Sequence, residues 1–323
     1  MNNIFSRRLV IAAALAGLLS GSVVSGVPAV AGVPAVGSVS SASVTGARVA
    51  VHFNLAAGQM PENIVLDHHG SVDVTFAGSR QVARVDARGA ITVLATLPAP
   101  ADPAAVTPVL GFPLVTGLVR DGRTFYVAYA TGSAAETGIW KFTEGGTPRR
   151  IAALPADGLP NGMAQDPATG TLYVSDSVLG AVYAVSPAGR VRTVSSDPAL
   201  AADGLLGVNG VKVRDNEVYV SNLDRGTVLR FPIGGGPVRV VASGLAGIDD
   251  FEFTGRGHEI VAALNTGSEV VLVDHGHAQV LLTAADGLSN PTSVAVRGRT
   301  ILVPSAAYVT QQDPNLVIGT LHE

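Results

Sequence analysis

Apolar residues in this chain recur at every second position, in short runs. In Arg48-Val49-Ala50-Val51-His52-Phe53, Val49, Val51 and Phe53 share one face, and Arg48, Ala50 and His52 share the other. That two-residue period predicts a half-buried strand. From Glu62 onward, runs rich in Val, Tyr, Leu and Thr alternate with turns of Gly, Asp, Asn and Pro, the pattern of a chain made of short strands. The clearest unit predicts strands over 162–165, 171–176, 181–186 and 191–195. Asp166-Pro167-Ala168-Thr169-Gly170 and Pro187-Ala188-Gly189 form its turns, with glycine supplying positive φ. The next unit has Asp215-Asn216 as its first turn and outer strands over 228–232 and 238–242. Another has Thr254-Gly255-Arg256-Gly257 as its first turn and strands over 259–264, 269–274 and 278–283. Beyond the N-terminal segment, no stretch shows a helical period.

Six units can be aligned on the first apolar residue of their first strand. The position two residues earlier then reads Glu62, Thr116, Asn161, Asn209, Asp249 and Thr292. Its members lie about 40–50 residues apart with four strands per unit, which is the spacing of propeller blades. The last unit has only three strands before the chain ends, over 293–297, 300–304 and 316–321. The unassigned strand at 48–53 can supply the fourth. The expected fold is therefore all-β, a six-bladed β-propeller over residues 48–323, with the last blade closed by an N-terminal strand. Such closure removes two free sheet edges.

Composition sharpens this picture. The 323 residues carry 14% charged side chains and a formal net charge of -4, with a mean hydropathy of +0.37. The chain is long enough for a sizeable core. Its acidic balance, with no basic stripe, argues against a nucleic-acid partner. It contains no cysteine, which excludes thiolate catalysis, disulfides and Cys-ligated zinc. Residues 1–31 read as a signal peptide: Arg7 and Arg8, an apolar run over 9–19, then Ala29-Val30-Ala31 as the cleavage pattern. Ser6-Arg7-Arg8-Leu9-Val10 also resembles a twin-arginine signal. Residues 32–47 are Gly, Ser, Val, Pro and Ala without period and read as a flexible leader. The expected product is secreted or extracytoplasmic, free of the membrane after signal cleavage, monomeric, and directed at a small-molecule substrate.

Innermost propeller strands run beside a central channel, so the aligned column gathers six distant side chains near one mouth. Glu62 and Asp249 bring carboxylates, and Asn161 and Asn209 bring amide carbonyls. An all-oxygen set suits a hard cation, Ca²⁺ before Mg²⁺ or another divalent ion. The same residue types also serve as ordinary turn residues before strands. Thr116 and Thr292 are expected to line the channel or satisfy backbone groups, and Asp250, beside Asp249, to line the channel. His68, His69, His258, His275 and His277 read as exposed turn residues, with His52 on the closing strand and His322 near the tail, and no Gly-x-Ser-x-Gly surrounds Ser175 or Ser221. Trp140 and Phe142 read as blade packing. A proline-rich insert over 99–112 enters blade two at the mouth and is expected to cover the channel. Residues 198–206 are expected to form another part of that rim.

These residues carry a resemblance. Pro61-Glu62, Pro160-Asn161-Gly162 followed by Leu172-Tyr173-Val174-Ser175-Asp176, Asn209-Gly210 and Ile248-Asp249 resemble the motifs of the six-bladed calcium propellers. These are the gluconolactonase and senescence-marker-protein family, with paraoxonases, the squid-type phosphotriesterase and strictosidine synthase as wider relatives. The resemblance covers the chain from about Glu62 to its end. It implies a catalytic calcium held by Glu62, Asn161, Asn209 and Asp249, and hydrolysis of a lactone or related ester. Asp249, or a water on the ion, would act as base or nucleophile. Two departures concern specificity. Gluconolactonases carry Arg-x-Asn-Asp in the second blade, where this chain has Leu114-Val115-Thr116-Gly117, and paraoxonases place a histidine near Thr116. The chain also resembles secreted propellers of the scytonemin-cluster type. Virginiamycin-type lyases share the propeller form, so a metal-dependent lyase and a non-catalytic ligand- or protein-binding propeller with a structural calcium stand beside the hydrolase.

Overall fold

A computed structural model describes residues 42–67 and 70–322. The signal peptide expected over 1–31 and most of the leader lie outside these residues. The chain forms six four-stranded antiparallel sheets. Their innermost strands are Pro61–Leu66, Leu114–Asp121, Pro160–Gln165, Val208–Arg214, Ile248–Phe253 and Ala295–Arg297. In blades one to five the strands follow chain order from the centre outward. Blade six runs Ala295–Arg297, Thr300–Ser305, Asn315–His322 and then Ser43–His52. The N-terminal strand therefore closes the ring, as the missing fourth strand implied. It starts at Ser43, five residues ahead of the sequence-based start at Arg48, and pairs from Ser43↔His322 to His52↔Asn315. The leader boundary at 47 moves back accordingly. Ser43-Val44-Thr45-Gly46-Ala47 lacks the alternation that marks 48–53, so only its partner strand reveals it.

Burial explains which strands alternate and which do not. The second strands Val72–Phe76 and Leu172–Asp176, and the third strand Ala181–Val185, are buried at every position. A strand covered on both faces has no polar side to display. The outermost strands face water and leave Val93, Val191, Val240 and Val280 exposed. Each pair of adjoining blades shares one apolar layer, and the layers run right round the ring. Between blades two and three the layer holds Tyr126, Ile139, Leu172 and Tyr183. Between blades one and two, Phe125 stacks on Phe142 at 4.9 Å, and Trp140 meets Tyr129 edge to face at 6.1 Å. Trp140 and Phe142 thus pack blades, as expected.

The layer between blades six and one depends on both chain ends. Val51 and Phe53 join Leu302 and Leu316 of blade six against Val72, Val74 and Phe76 of blade one. Deleting residues 42–53 strips that layer and opens a sheet edge. The shortened protein is expected to melt at least about 10 °C lower, or to lose its cooperative transition. Differential scanning calorimetry of the two forms checks this, and an unchanged melting temperature would refute the role assigned to the strand.

Candidate metal centre at the channel mouth

The column residues sit in bulges. In five blades the pairing of the innermost strand skips two residues. Paired positions jump from Pro61 to Ile64, Val115 to Leu118, Pro160 to Met163, Val208 to Val211 and Ile248 to Phe251. In blade six Pro291 pairs alone with Ser305, and regular pairing resumes at Ala295. The skipped residues are the column member and its successor each time. A bulge frees a residue from the ladder and re-aims its side chain. Asn161-Gly162 and Asn209-Gly210 are therefore bulges within strands, and the reading of them as turns before strands is corrected.

Glycine follows the column residue in blades two, three and four for a steric reason. A Cβ on Gly117 would lie 2.3 Å from the Asn161 carbonyl oxygen, and one on Gly162 would lie 2.3 Å from that of Asn209. Neighbouring innermost strands approach too closely for any side chain there. Side-chain bonds then tie each junction at this level. Thr75 donates to the Thr116 carbonyl at 2.7 Å, Ser221 to the Asp249 carbonyl at 2.6 Å, and Ser175 to the Asn209 carbonyl. Asn265 donates to the Pro291 carbonyl at 3.2 Å. Thr116 reaches the Pro160 carbonyl at 2.8 Å and Thr292 the Pro61 carbonyl at 2.9 Å. Of the two roles expected for these threonines, their hydroxyls take the backbone one. Ser175 and Ser221 are likewise committed to backbone.

Four column residues keep their polar groups for the mouth. Glu62, Asn161, Asn209 and Asp249 are 8%, 6%, 3% and 6% exposed. Tyr308 donates its hydroxyl to Glu62 Oε2 at 2.6 Å. Asn265 donates to Asp249 Oδ2 at 3.0 Å, and the Asn209 side chain also hydrogen-bonds Asp249. Asn161 donates to Ser177 Oγ at 3.0 Å, and Ser177 donates to the Val208 carbonyl at 2.7 Å, beside Asn209. Asn209 thus hydrogen-bonds Asp249, Glu62 acts on Asp249 through its charge, and Asn161 is tied through Ser177 to the backbone just before Asn209.

No cationic side chain hydrogen-bonds or ion-pairs with Glu62 or Asp249 among the described residues. Burial pushes the Glu62 carboxyl up to about 7, Tyr308 partly offsets the shift, and the charge of Asp250 adds to it. Burial also raises Asp249 well above the usual carboxylate range, followed by the charges of Glu62 and Asp250, against the hydrogen bonds from Asn265 and Asn209. Two buried acids that disfavour each other's ionised form are what a cation site looks like without its ion. No three His, Asp or Glu side chains among the described residues are grouped to hold a metal by themselves. An ion here depends on the two asparagine carbonyls, which suits calcium more than zinc.

Asp250 behaves differently. Its Oδ2 accepts from Lys212 Nζ at 3.1 Å and from Ser293 Oγ at 2.8 Å, and its Oδ1 accepts from the Phe251 N–H at 2.8 Å.

An apolar collar surrounds the column. Met60, Leu114 and Leu159, each two residues before a column member, pack with Leu206, Leu223 and Tyr308. Val109, Leu110 and Phe112 of the insert and Leu205 of the second rim segment join them. The insert thus packs at the mouth, as expected. Open clefts lie elsewhere. One of about 450 Å³ is lined by Asp166, Tyr173, Arg190 and Ile233, and one of about 550 Å³ by Tyr219, Phe253, Arg230 and His258. Both sit at the far end of the innermost strands and include no column residue. His258, His275 and His277 are exposed, in line with the bland reading, and His68 and His69 lie outside the described residues.

Tyr308, Asn265, Ser177 and Lys212 were missed from sequence. Ser177 and Asn265 each follow the last residue of a second strand, so aligning strand ends would have paired them. Tyr308 lies in the loop between the second and third strands of blade six, which at 306–314 is longer than the same loop in the other blades, so its position has no equivalent in the repeat.

No protein-family model matches the chain, and no curated protein matches it by sequence. Solved structures do match. Regucalcin from Agrobacterium tumefaciens, described as a calcium-binding protein, aligns with a TM-score of 0.59 at 17% identity, covering 81% of this chain and 90% of that one. A luciferin-regenerating enzyme gives 0.60 at 14%, covering 85% and 94%. An inactive variant of virginiamycin B lyase from Staphylococcus aureus gives 0.56 at 14%, covering 88% and 100%. The fold is a six-bladed β-propeller, shared with these structures. At such identities the likeness establishes fold and leaves chemistry to the residues.

Two predictions follow from this geometry. Gly162→Ala is expected to cost roughly 2–4 kcal/mol of stability. Gly234→Ala, where a Cβ meets nothing within 4 Å, is expected to be near neutral, and urea unfolding of both variants checks the pair. The second concerns pH. Glu62 in the folded, metal-free protein titrates near 7, against 4.5 ordinarily. Between those values the folded state binds more protons than the unfolded one, so stability falls as pH rises. In EDTA the melting temperature is expected to decline across this window. Glu62→Gln should flatten the decline, and added Ca²⁺ should raise the melting temperature more at pH 7.5 than at pH 5.

Proposed function

We propose that the chain is an exported, cation-dependent hydrolase acting on a lactone or related ester at the channel mouth. The observation that carries this reading is the pair of buried carboxylates, Glu62 and Asp249, set with two asparagine amides and without a cationic partner. Holding two acids in that state is unfavourable in a folded chain unless a ligand compensates. The calcium-binding regucalcin of the same fold and the export-type sequence over 1–31 support the reading.

A bound Ca²⁺ would supply Lewis acidity to a substrate carbonyl oxygen. The chain's own residues do the rest. Glu62 and Asp249 provide the charge that balances the ion, and Asn161 and Asn209 provide neutral oxygen donors. Tyr308 and Asn265 hold the two carboxylates in place. Asp249 takes the proton from a water as that water attacks the ester carbon, and returns it to the alcohol oxygen as the bond from that carbon to that oxygen breaks. In a lactone this opens the ring to a hydroxy acid. The collar of Leu110, Phe112, Leu206 and Tyr308 excludes bulk water and favours a substrate with an apolar body. With Thr116 turned to the Pro160 carbonyl, blade two offers no sugar-binding side chain at this level.

A second reading has its own support. The four oxygen donors are at most 8% exposed, which suits an ion that pins the inner strands of a non-catalytic binding propeller. Turnover separates the readings. The mature protein is expected to bind Ca²⁺ in calorimetry and to hydrolyse members of a panel of apolar lactones and aryl esters. EDTA and Asp249→Asn should each lower kcat/KM by at least about 10²-fold. Activity that survives both sinks the hydrolase mechanism, and calcium binding with no turnover across the panel favours the structural pin.

A further inference from the structure

Near the mouth three acids, Glu62, Asp249 and Asp250, act on one another through their charges. Among the described residues, the one cationic partner that hydrogen-bonds any of them is Lys212, three residues below Asn209 on the innermost strand of blade four. Its ammonium lies 3.1 Å from Asp250 Oδ2 and 3.9 Å from Glu252 Oε2, and its side chain is 18% exposed. Asp250 spends both oxygens on near neighbours, taking Lys212 and Ser293 on one and the Phe251 N–H on the other. Room for this is built into blade four. A Cβ on Gly210 would lie 2.3 Å from Asp250 Oδ1, so a side chain there would push the carboxylate aside. Asp250 is thus the acid of the three whose charge is already answered, and Glu62 and Asp249 are the two whose charge is not.

We propose that Lys212 is a built-in counter-charge that holds Asp250 off the cation and leaves Glu62 and Asp249 as the two unanswered negative charges of the column, matched to a divalent ion. This rests on the mouth being a cation site. Lys212 is then a residue that sets affinity and ion charge preference without touching the ion. Removing it frees a third carboxylate beside the other two, which deepens the negative potential and biases the site toward more highly charged ions. Removing Asp250 instead leaves the ammonium with the longer 3.9 Å contact to Glu252 in place of the 3.1 Å one, so its charge is less well answered and weakens cation binding. Removing both restores the original balance.

Calorimetric titration of Ca²⁺ into the full-length, metal-stripped protein tests the cycle, with a melting curve for each variant. Lys212→Met is expected to bind Ca²⁺ about tenfold or more tightly than wild type, and Asp250→Asn about tenfold more weakly. The double variant should return to within about threefold of wild type. Terbium luminescence should show a gain in Tb³⁺ over Ca²⁺ preference for Lys212→Met alone. If Lys212→Met does not fold, Lys212→Gln takes its place in the cycle. Unchanged affinity in the lysine variant overturns the proposal, as does unchanged affinity in Asp250→Asn. A double variant as weak as Asp250→Asn also overturns it, because Asp250 would then be a ligand itself. Wild type with no measurable Ca²⁺ binding would overturn the cation site as a whole, a result distinct from these three.

Discussion

The structure depends on how closely its innermost strands approach one another at one end of the channel. At that level each blade donates a side-chain hydrogen bond to a carbonyl of the next, from Thr75, Thr116, Ser175, Ser221, Asn265 and Thr292 in turn. The acceptors are the backbones of column residues or of the prolines just before them. A ring of blades has little to stop a sheet from tilting about its own apolar layer. These bonds resist it, because each ties a buried side chain of one blade to the backbone of the next. The glycines at 117, 162 and 210 are the steric condition for the same approach. Strand bulges complete the device by taking the column residue out of the ladder while its neighbours remain paired.

The mouth then holds a deliberate imbalance. Six column positions divide into two that close the ring and four that keep polar groups free. The threonines satisfy backbone, and the acids and amides gather around the axis. Burial raises the cost of the carboxylate charges, and Tyr308 and Asn265 compensate only in part. A fold tolerates such a conflict where a ligand relieves it. A second group of buried acids, between blades one and two, gives the contrast. There Asp67 and Asp73 face Arg84 and Arg120 at ion-pair distance, so those buried acids are neutralised by the chain itself. The two groups of buried acids, one supplied with arginine and one not, differ in how their charge is met.

Much of this was legible in the order of residues. Blade boundaries followed from strand alternation and from a repeat near 40–50 residues, and the closing strand followed from a count of three strands where four were needed. The column emerged from aligning blades on one apolar residue. The start of the closing strand did not, because residues 43–47 pair by backbone and carry no apolar rhythm. Asn161-Gly162 read as a turn because Asn and Gly favour turns locally. The same pair suits a bulge whose glycine faces another strand, and only the neighbouring blade distinguishes the two. Tyr308 left no trace, since it lies in the part of its loop that the other blades lack.

The sequence by itself determined that the chain is a ring of six antiparallel sheets, because period-two burial and turn chemistry are local properties that repeat. It also determined which oxygen-bearing side chains share one level. The tertiary structure alone decided what each does there. Whether a hydroxyl closes a junction, or a carboxylate meets lysine, tyrosine or nothing charged, depends on groups up to 246 positions away, as between Glu62 and Tyr308. Charge and hydrogen bonding act through space at a few ångströms, and the chain reaches those distances only once the ring has closed.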